Sequence, residues 1–129
     1  MFIRTDLSLA QQIVQSCHAT LEAGLKDNNR YAQTSSIILI QVKNQQELLE
    51  AFERVQSLGI ECVSFYEPYE DTGYTSFSTL PVGEEMRHHF KKYPLWGRAV
   101  KGEKTPLTEF LKEEMRVFHK SKNLMEQLA

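Results

Sequence analysis

The sequence contains few of the residues that build disulfide frameworks, zinc sites or membrane spans. Only two of its 129 residues are cysteine, Cys17 and Cys62, and they lack the close Cys-x-x-Cys spacing of a zinc site. The longest strongly apolar run, residues 37–40, is far shorter than the roughly 20 residues that cross a bilayer. We therefore expect a cytoplasmic protein without a signal segment, with reduced and buried thiols, no metal and no membrane contact.

Neither positive nor negative charge predominates in the sequence. The sequence has 15 Lys and Arg against 17 Asp and Glu, a net charge of −2, so nucleic acid is not attracted by the protein as a whole. A local exception lies in residues 87–104, where basic residues surround Tyr93 and Trp96. Basic side chains hold phosphates and aromatic faces stack on bases, and the alternative is an ordinary solvated linker face. The candidate RNA-binding residues are Arg87, Lys91, Lys92, Lys101 and Lys104.

Hydrophobic spacing predicts an ordered succession of strands and helices. Strands are predicted at residues 2–6, 37–42, 60–66 and 74–80, and helices at residues 9–25, from Asn44 to Gly59, and at residues 84–92. This order (β-α-β-α-β-β-α) predicts an α/β domain, a three-layer α/β/α arrangement with a four-stranded mixed sheet. Its first three strands should be parallel and the fourth antiparallel. Because residues 37–42 are almost all apolar, we expect that strand to lie in the centre of the sheet.

The first predicted helix carries an apolar stripe at helical spacing, which we expect to face the core. Ser8 precedes the helix and can cap it. Three glutamines, Gln11, Gln12 and Gln15, and His18 lie in the same helix. The stripe consists of Ala10, Ile13, Val14, Cys17, Leu21 and Leu25.

The last third of the chain differs from the rest. Residues 1–96 form the predicted domain, and residues 97–129 form a linker followed by a C-terminal amphipathic helix that starts at Thr105 and Pro106. The apolar face of this helix needs a cover, so we expect it to pack on the domain or on a partner. That face includes Leu107, Phe110, Leu111, Met115, Phe118 and Met125.

Polar side chains gather where the predicted strands end. In a parallel arrangement the carboxyl ends of strands and the amino ends of the following helices share one edge, where ligands usually bind. A carboxylate there can orient or deprotonate water, and amide groups can stabilise an oxyanion. The residues expected at this edge are Asp6, Ser8, Gln11, Gln12, Glu67, Asp71, Thr75 and Ser76.

Two segments of the sequence resemble those of a known family. "RTDL", followed by "AQQIVQSCHAT", is similar to the opening signature of the type 2 peptidyl-tRNA hydrolases, with Arg4, Asp6, Gln15 and His18 at the matching places. "VSFYEPYEDTGYTSFSTLPVG" is similar to the later family segment, in which an acidic residue is followed by a turn and a threonine-rich strand. The resemblance covers roughly residues 2–95. It implies hydrolysis of the ester between a peptide and tRNA, without a cofactor. Because members of the family tend to pair, it also favours a homodimer, with the C-terminal helix as the expected contact.

The resemblance also implies a site made of a lysine at the start of the first helix, an acidic residue after the third strand and a threonine in the fourth. Here Gln11 occupies the lysine position, Glu67 the acidic position, and Thr75 or Ser76 the threonine position. We include His18 among the candidate catalytic residues, with a structural histidine as the alternative. His88 and His89 have no third ligand at usable spacing, so no metal site is predicted. The alternative function is a non-catalytic RNA- or protein-binding domain.

Overall fold

The computed structural model describes residues 1–27, 36–98 and 106–128. The chain forms two compact units, Met1–Trp96 and Gly97–Ala129. The first unit contains β1 (Phe2–Arg4), α1 (Leu9–Lys26), β2 (Ile40–Val42), α2 (Gln45–Ser57), β3 (Cys62–Glu67) and β4 (Gly73–Thr79), and short 3-10 helices at Tyr69–Asp71 and Glu84–Phe90. The second unit contains α3 (Pro106–Leu128). The predicted start of this helix at Thr105 lies outside the described residues.

The four strands form one mixed sheet in the order β2-β1-β4-β3. β1 runs parallel to β2, with Phe2 opposite Ile40, and antiparallel to β4, with Phe2 opposite Phe77. β3 is antiparallel to β4. Strands β1, β2 and β3 therefore point in one direction and β4 in the other, which confirms the predicted four-stranded mixed sheet.

The prediction that the strand within residues 37–42 is central was wrong, because β2 lies at an edge of the sheet. The chain after the second 3-10 helix covers that edge. The Gln41 amide donates to the Pro94 carbonyl at 3.1 Å, and the Trp96 amide donates to the Leu39 carbonyl at 2.9 Å. Leu95 forms an isolated bridge with Ile40. This cover supplies partners for the main-chain groups at the outer edge of β2. The apolar character of Ile40 and Val42 is explained by their burial in the core.

The two buried clusters of the core share β1 between them. Phe2 belongs to the cluster that includes Leu48 and Val55 of α2, and its ring stacks on Phe77 with centroids 4.3 Å apart. The next residue, Ile3, belongs to the second cluster, with Ala19 of α1. Successive side chains of a strand point to opposite faces, so β1 connects both packing surfaces.

The helix signals read from the sequence of α2 are confirmed. The Asn44 carboxamide oxygen accepts from the Glu47 amide at 2.9 Å, and the Glu47 carboxylate accepts from the Lys43 amide at 2.9 Å. These bonds satisfy amide groups that the first turn of a helix leaves without partners. At the other end Gly59 adopts a left-handed φ of 80° and its amide donates to the Gln56 carbonyl, a conformation that glycine reaches without steric cost.

The predicted buried stripe of α1 was wrong. The buried residues of this helix are Gln12, Gln15, Ala19 and Ala23. The apolar residues of the stripe are exposed instead, and Cys17, which we expected to be buried, is exposed with them. Apolar spacing identified the amphipathic character but not its direction, because each of the two buried glutamines has hydrogen-bond partners and the two alanines occupy little space. The exposed residues are Ala10, Ile13, Val14, Leu21 and Leu25.

Candidate active site

Arg4 fixes the edge at which β1 and β3 end. Its guanidinium donates to both carboxylate oxygens of Asp6, at 2.8 and 2.9 Å. The same group donates to the carbonyls of Thr72 and Tyr74, at 2.7 and 3.0 Å. The β1–α1 connection is thereby held to the loop before β4. The Asp6 carboxylate serves as the partner of this clamp, since a bidentate pair occupies both of its oxygens.

Gln15 joins the acidic and hydroxyl residues that the sequence singles out. Its carboxamide oxygen accepts from the Thr75 hydroxyl at 2.9 Å, and its amide nitrogen donates to the Glu67 carboxylate at 3.3 Å. The other Glu67 oxygen accepts from the Tyr69 backbone amide at 3.0 Å. Residues of α1, β3 and β4 that lie up to 60 positions apart in sequence therefore form one hydrogen-bonded chain.

A bulge in β4 directs two neighbouring hydroxyls toward the same helix, α1. Ser76 pairs with Phe65 and Tyr74 pairs with Tyr66, so Thr75 is an additional residue in the ladder. Such a bulge redirects a side chain that would otherwise face the opposite side of the sheet. The Ser76 hydroxyl donates to the Gln15 carbonyl at 2.8 Å, while Thr75 bonds the Gln15 side chain.

The hydroxyls of Thr75 and Ser76 hold Gln15 and do not face the solvent. Both residues are fully buried, with 0% of their surface exposed. The structure therefore brings the predicted threonine and serine together with Glu67 but encloses them beneath α1. Of the three hydrogen-bonded residues Gln15, Glu67 and Thr75, Glu67 is half-buried and reaches the surface.

Gln12 is a second buried glutamine, and its residue type predicts a place at the ligand-binding edge but no individual role there. Its amide nitrogen donates to the Leu7 carbonyl at 2.8 Å, and its carboxamide oxygen accepts from the Trp96 indole at 2.8 Å. These bonds fix the turn before α1 and attach it to the segment that covers β2. The signal available in the sequence was the spacing of Gln12 and Gln15, which places both amides on one side of a helix.

Gln11 and His18 lie on the same side of α1 as Gln15, one turn before it and about one turn after it. Gln11 is exposed in the first turn, where its backbone amide donates to the Ser8 hydroxyl at 3.2 Å. His18 is also exposed, and its ring lies parallel to that of Phe65, with centroids 4.4 Å apart. The three residues form a row beside the end of β3.

The loop after β3 is tightly held although two of its residues have unusual backbone angles. Glu70 and Asp71 have φ values of 53° and 55°, in the left-handed region. The Thr72 hydroxyl and amide both bond the Tyr69 carbonyl, at 2.7 and 3.2 Å. Strained residues of this kind persist where surrounding contacts fix them, and they cluster at functional sites. Asp71 is exposed in this turn.

Gly73 is required where the loop enters β4. Its φ is 82°, and a Cβ there would collide with the Gln45 side chain, whose carboxamide oxygen accepts from the Tyr74 amide. We expect Gly73→Ala to lower the free energy of unfolding by about 1–3 kcal/mol, because both backbone and packing oppose the methyl group. The measurement is urea denaturation, with Gly24→Ala as the control. Gly24 has nothing within 4 Å of a Cβ, and an equal loss in both variants would contradict this explanation.

The basic stretch is only partly within the described residues. Arg87 lies 3.6 Å from Glu84, Lys91 is exposed, and the Lys92 ammonium lies 5.1 Å from the centre of the Tyr93 ring. Lys101 and Lys104 lie outside the described ranges.

A histidine next to these lysines adds little positive charge. Desolvation, followed by the charges of His88 and Arg54, lowers the pKa of His89 below its ordinary value. The His89 ring is therefore mostly neutral at pH 7.

Comparison of the chain with protein-family models, with curated proteins and with solved structures finds no match in any of the three. Within residues 1–27, 36–98 and 106–128, no group of three or more His, Cys, Asp or Glu residues is arranged to hold a metal ion. In the same part of the chain, no helix has the length and apolar character needed to cross a membrane.

Proposed function

We propose that this chain is a peptidyl-tRNA hydrolase of the type 2 kind, with slow turnover. The observation that carries the proposal is the contact of Gln15 with both Glu67 and Thr75. These three residues come from the two sequence segments that resemble the family, and the fold joins them in one hydrogen-bonded chain.

Among the hydrogen-bonded residues Gln15, Glu67 and Thr75, Glu67 is the group that can act on water. Each of its carboxylate oxygens accepts one hydrogen bond from the protein, which leaves further lone pairs for a water molecule. In the proposed reaction the carboxylate takes a proton from that water as its oxygen attacks the ester carbonyl. The proton then passes to the departing ribose oxygen, so that the peptide leaves as an acid and the tRNA as an alcohol.

Gln11 and His18 lie in the same row as Gln15 and would contact the ester from α1. The Gln11 carboxamide can donate a hydrogen bond to the oxyanion that forms during attack. A neutral amide stabilises this charge less than an ammonium does. His18, stacked on Phe65, can orient the substrate through its ring nitrogens. Thr75 and Ser76 act indirectly, since their hydroxyls hold Gln15 and through it the Glu67 carboxylate.

A non-catalytic RNA- or protein-binding domain is the second candidate function. Two observations favour it: Gln11 occupies the position at which the resemblance implies a lysine, and Thr75 and Ser76 are wholly buried. A time course of peptidyl-tRNA cleavage by the purified protein separates the two functions. Release of tRNA above the background rate supports the hydrolase, whereas binding of the same tRNA without release supports the binding domain.

The basic stretch is the proposed contact for the tRNA backbone. We expect simultaneous replacement of Lys91, Lys92, Lys101 and Lys104 by Glu to abolish tRNA binding at physiological salt. Each lost phosphate contact also lowers the salt dependence of the binding constant, by about 0.7–0.9 in the slope of log K against log salt concentration. Binding is measured by fluorescence anisotropy over a series of salt concentrations.

A charge-matched variant controls for the change in total charge. Replacement of Lys43, Lys112, Lys120 and Lys122 by Glu introduces the same charge at four exposed positions outside the basic stretch. This control should retain most of the affinity and the salt dependence. If both variants lose the same affinity, overall charge governs binding and the proposed surface is wrong.

A further inference from the structure

Strand β3 forms the second edge of the sheet. The opposite edge, at β2, is covered by the Pro94–Trp96 segment. Within the described residues, β3 pairs with β4 alone, so its outer side is open there, and we call this side the β3 edge. A strand at the edge of a sheet presents a row of main-chain amides and carbonyls that can pair with another extended chain.

The register of β3 identifies the main-chain groups of the β3 edge. The Leu80 amide donates to the Glu61 carbonyl at 3.0 Å, so these two residues form a hydrogen-bonded pair of the ladder. Such pairs alternate with unbonded ones along antiparallel strands, and Val63 belongs to the next hydrogen-bonded pair. The amides and carbonyls of the remaining residues, Cys62 and Ser64, are therefore directed away from β4.

The side chains of β3 leave this edge unprotected. Residues 62–66 include no charged residue and no proline, which are common means of blocking an exposed edge. The bulge described above lies in the inner strand, β4, and does not interrupt the sequence of β3. The β3 edge is therefore suited to pairing with an extended peptide.

We propose that the β3 edge holds the peptide part of the substrate as an additional strand, through main-chain hydrogen bonds. This inference rests on the proposed hydrolase function, because the place of Glu67 identifies the occupant. β3 ends at Glu67, the proposed base, and the ester lies at the carboxyl end of the substrate's peptide. A peptide that runs parallel to β3 therefore brings its ester to Glu67.

Main-chain pairing lets one site accept peptides of many sequences. Every residue except proline carries the same main-chain donor and acceptor, so the edge of a strand binds a peptide backbone whatever its side chains are. β3 has six residues and is about 20 Å long. We therefore expect the affinity for a peptide to rise with its length up to about six residues and then to stay constant.

The first experiment measures peptide binding without cleavage. The probe is an acetylated hexapeptide amide of alternating valine and threonine, N-methylated at every second residue so that it cannot aggregate through both of its edges. Its addition to the isotope-labelled complete chain should shift the NMR signal of the Ser64 amide and slow the hydrogen exchange of that amide. The same peptide N-methylated at every residue is the control. It should cause neither change, because methyl groups block both of its edges.

The second experiment closes the β3 edge by Ser64→Pro. The Ser64 amide is directed away from β4, so proline removes no hydrogen bond of the ladder, and its ring obstructs a further strand. We expect this variant to bind the hexapeptide at least about tenfold more weakly, because it loses a hydrogen bond and the close approach of the neighbouring groups. Ser64→Ala keeps the amide and should bind like the original chain. Circular dichroism verifies that both variants are folded.

Substrates of two lengths separate this inference from the proposed function. N-acetyl-aminoacyl-tRNA has one residue and is too short to pair with β3, whereas hexapeptidyl-tRNA matches its length. Ser64→Pro should lower kcat/KM for hexapeptidyl-tRNA about tenfold, through a higher KM, and leave the value for N-acetyl-aminoacyl-tRNA unchanged. If neither substrate is cleaved but the hexapeptide protects the Ser64 amide, the hydrolase is wrong and the peptide-binding edge is retained.

Three results would overturn the proposal. The first is an unchanged Ser64 amide at millimolar concentrations of the hexapeptide; this measurement uses the original chain, so it is decisive even where Ser64→Pro does not fold. The second is a folded Ser64→Pro variant that cleaves hexapeptidyl-tRNA with the original KM, which places the peptide elsewhere. The third is a dimer of the original chain that Ser64→Pro abolishes, which means that a second copy occupies the β3 edge.

Discussion

Glu67→Gln should reduce the rate of peptidyl-tRNA cleavage by about 10²-fold to 10⁴-fold, the usual contribution of a general base. The amide has nearly the shape of the carboxylate, and its oxygen can still accept a hydrogen bond from the Tyr69 amide. Its NH2 group cannot accept the bond from Gln15, so circular dichroism verifies that the fold is retained. The amide cannot take a proton from water at neutral pH. The measurement is a single-turnover time course with equal amounts of folded protein.

Glu70→Gln is the matched control for this experiment. Glu70 is an exposed carboxylate in the same turn, so its replacement removes the same charge next to the site without touching Gln15. Its rate should stay within about twofold of the original, since an exposed charge is largely screened. If Glu67→Gln is folded and as active as the original chain, Glu67 is not the base, and the proposed mechanism is incorrect.

Gln11→Lys should accelerate the same reaction by at least about tenfold. A well-placed electrostatic stabiliser contributes about 10²-fold to 10³-fold in rate, and imperfect placement of the new side chain lowers that gain. Gln11 is exposed in the first turn of α1, so a lysine there can extend into solvent without displacing buried atoms. Rates are compared at saturating substrate, because a new lysine also strengthens binding to tRNA.

Ala10→Lys distinguishes a placed ammonium from a general increase in positive charge. Ala10 is exposed in the same turn but lies about 100° around the helix from Gln11. This control should leave the rate at saturation unchanged. A fast original enzyme that Gln11→Lys does not improve would show that another group, such as His18, already supplies the stabilisation. The Glu67→Gln change repeated in the Gln11→Lys background should remove the gain.

The sheet could be predicted from sequence because its signals are local. The polar breaks between apolar runs marked each strand, and Asn44, Glu47 and Gly59 marked the ends of α2 with side chains that act on their own turn. The position of β2 could not be predicted in the same way. Its apolar sequence is the same whether its neighbour is another strand or the Pro94–Trp96 segment, and only the fold distinguishes the two.

The orientation of α1 was the main error, and its cause lies in what hydrophobicity measures. An apolar stripe indicates which residues prefer to leave water, whereas the direction of a helix also depends on hydrogen bonds that span long distances in sequence. Gln15 bonds Glu67 and Thr75, 52 and 60 residues away, and no local pattern encodes these partners. The enclosure of Thr75 and Ser76 has a similar cause. The bulge that turns both hydroxyls toward α1 depends on the pairing of β3 with β4.

The position of β1 between β2 and β4 determines when the protein can fold. Phe2 pairs with Ile40 on one side and with Phe77 on the other. Because both partners are distant in sequence, forming the sheet costs the entropy of closing two long loops. Such non-local pairing slows folding relative to helical proteins of equal size. During synthesis on the ribosome, β1 remains unpaired on one side until β4 has emerged. The Arg4 contacts with Thr72 and Tyr74 form in the same late step, so the candidate site is assembled only after most of the first unit has been translated.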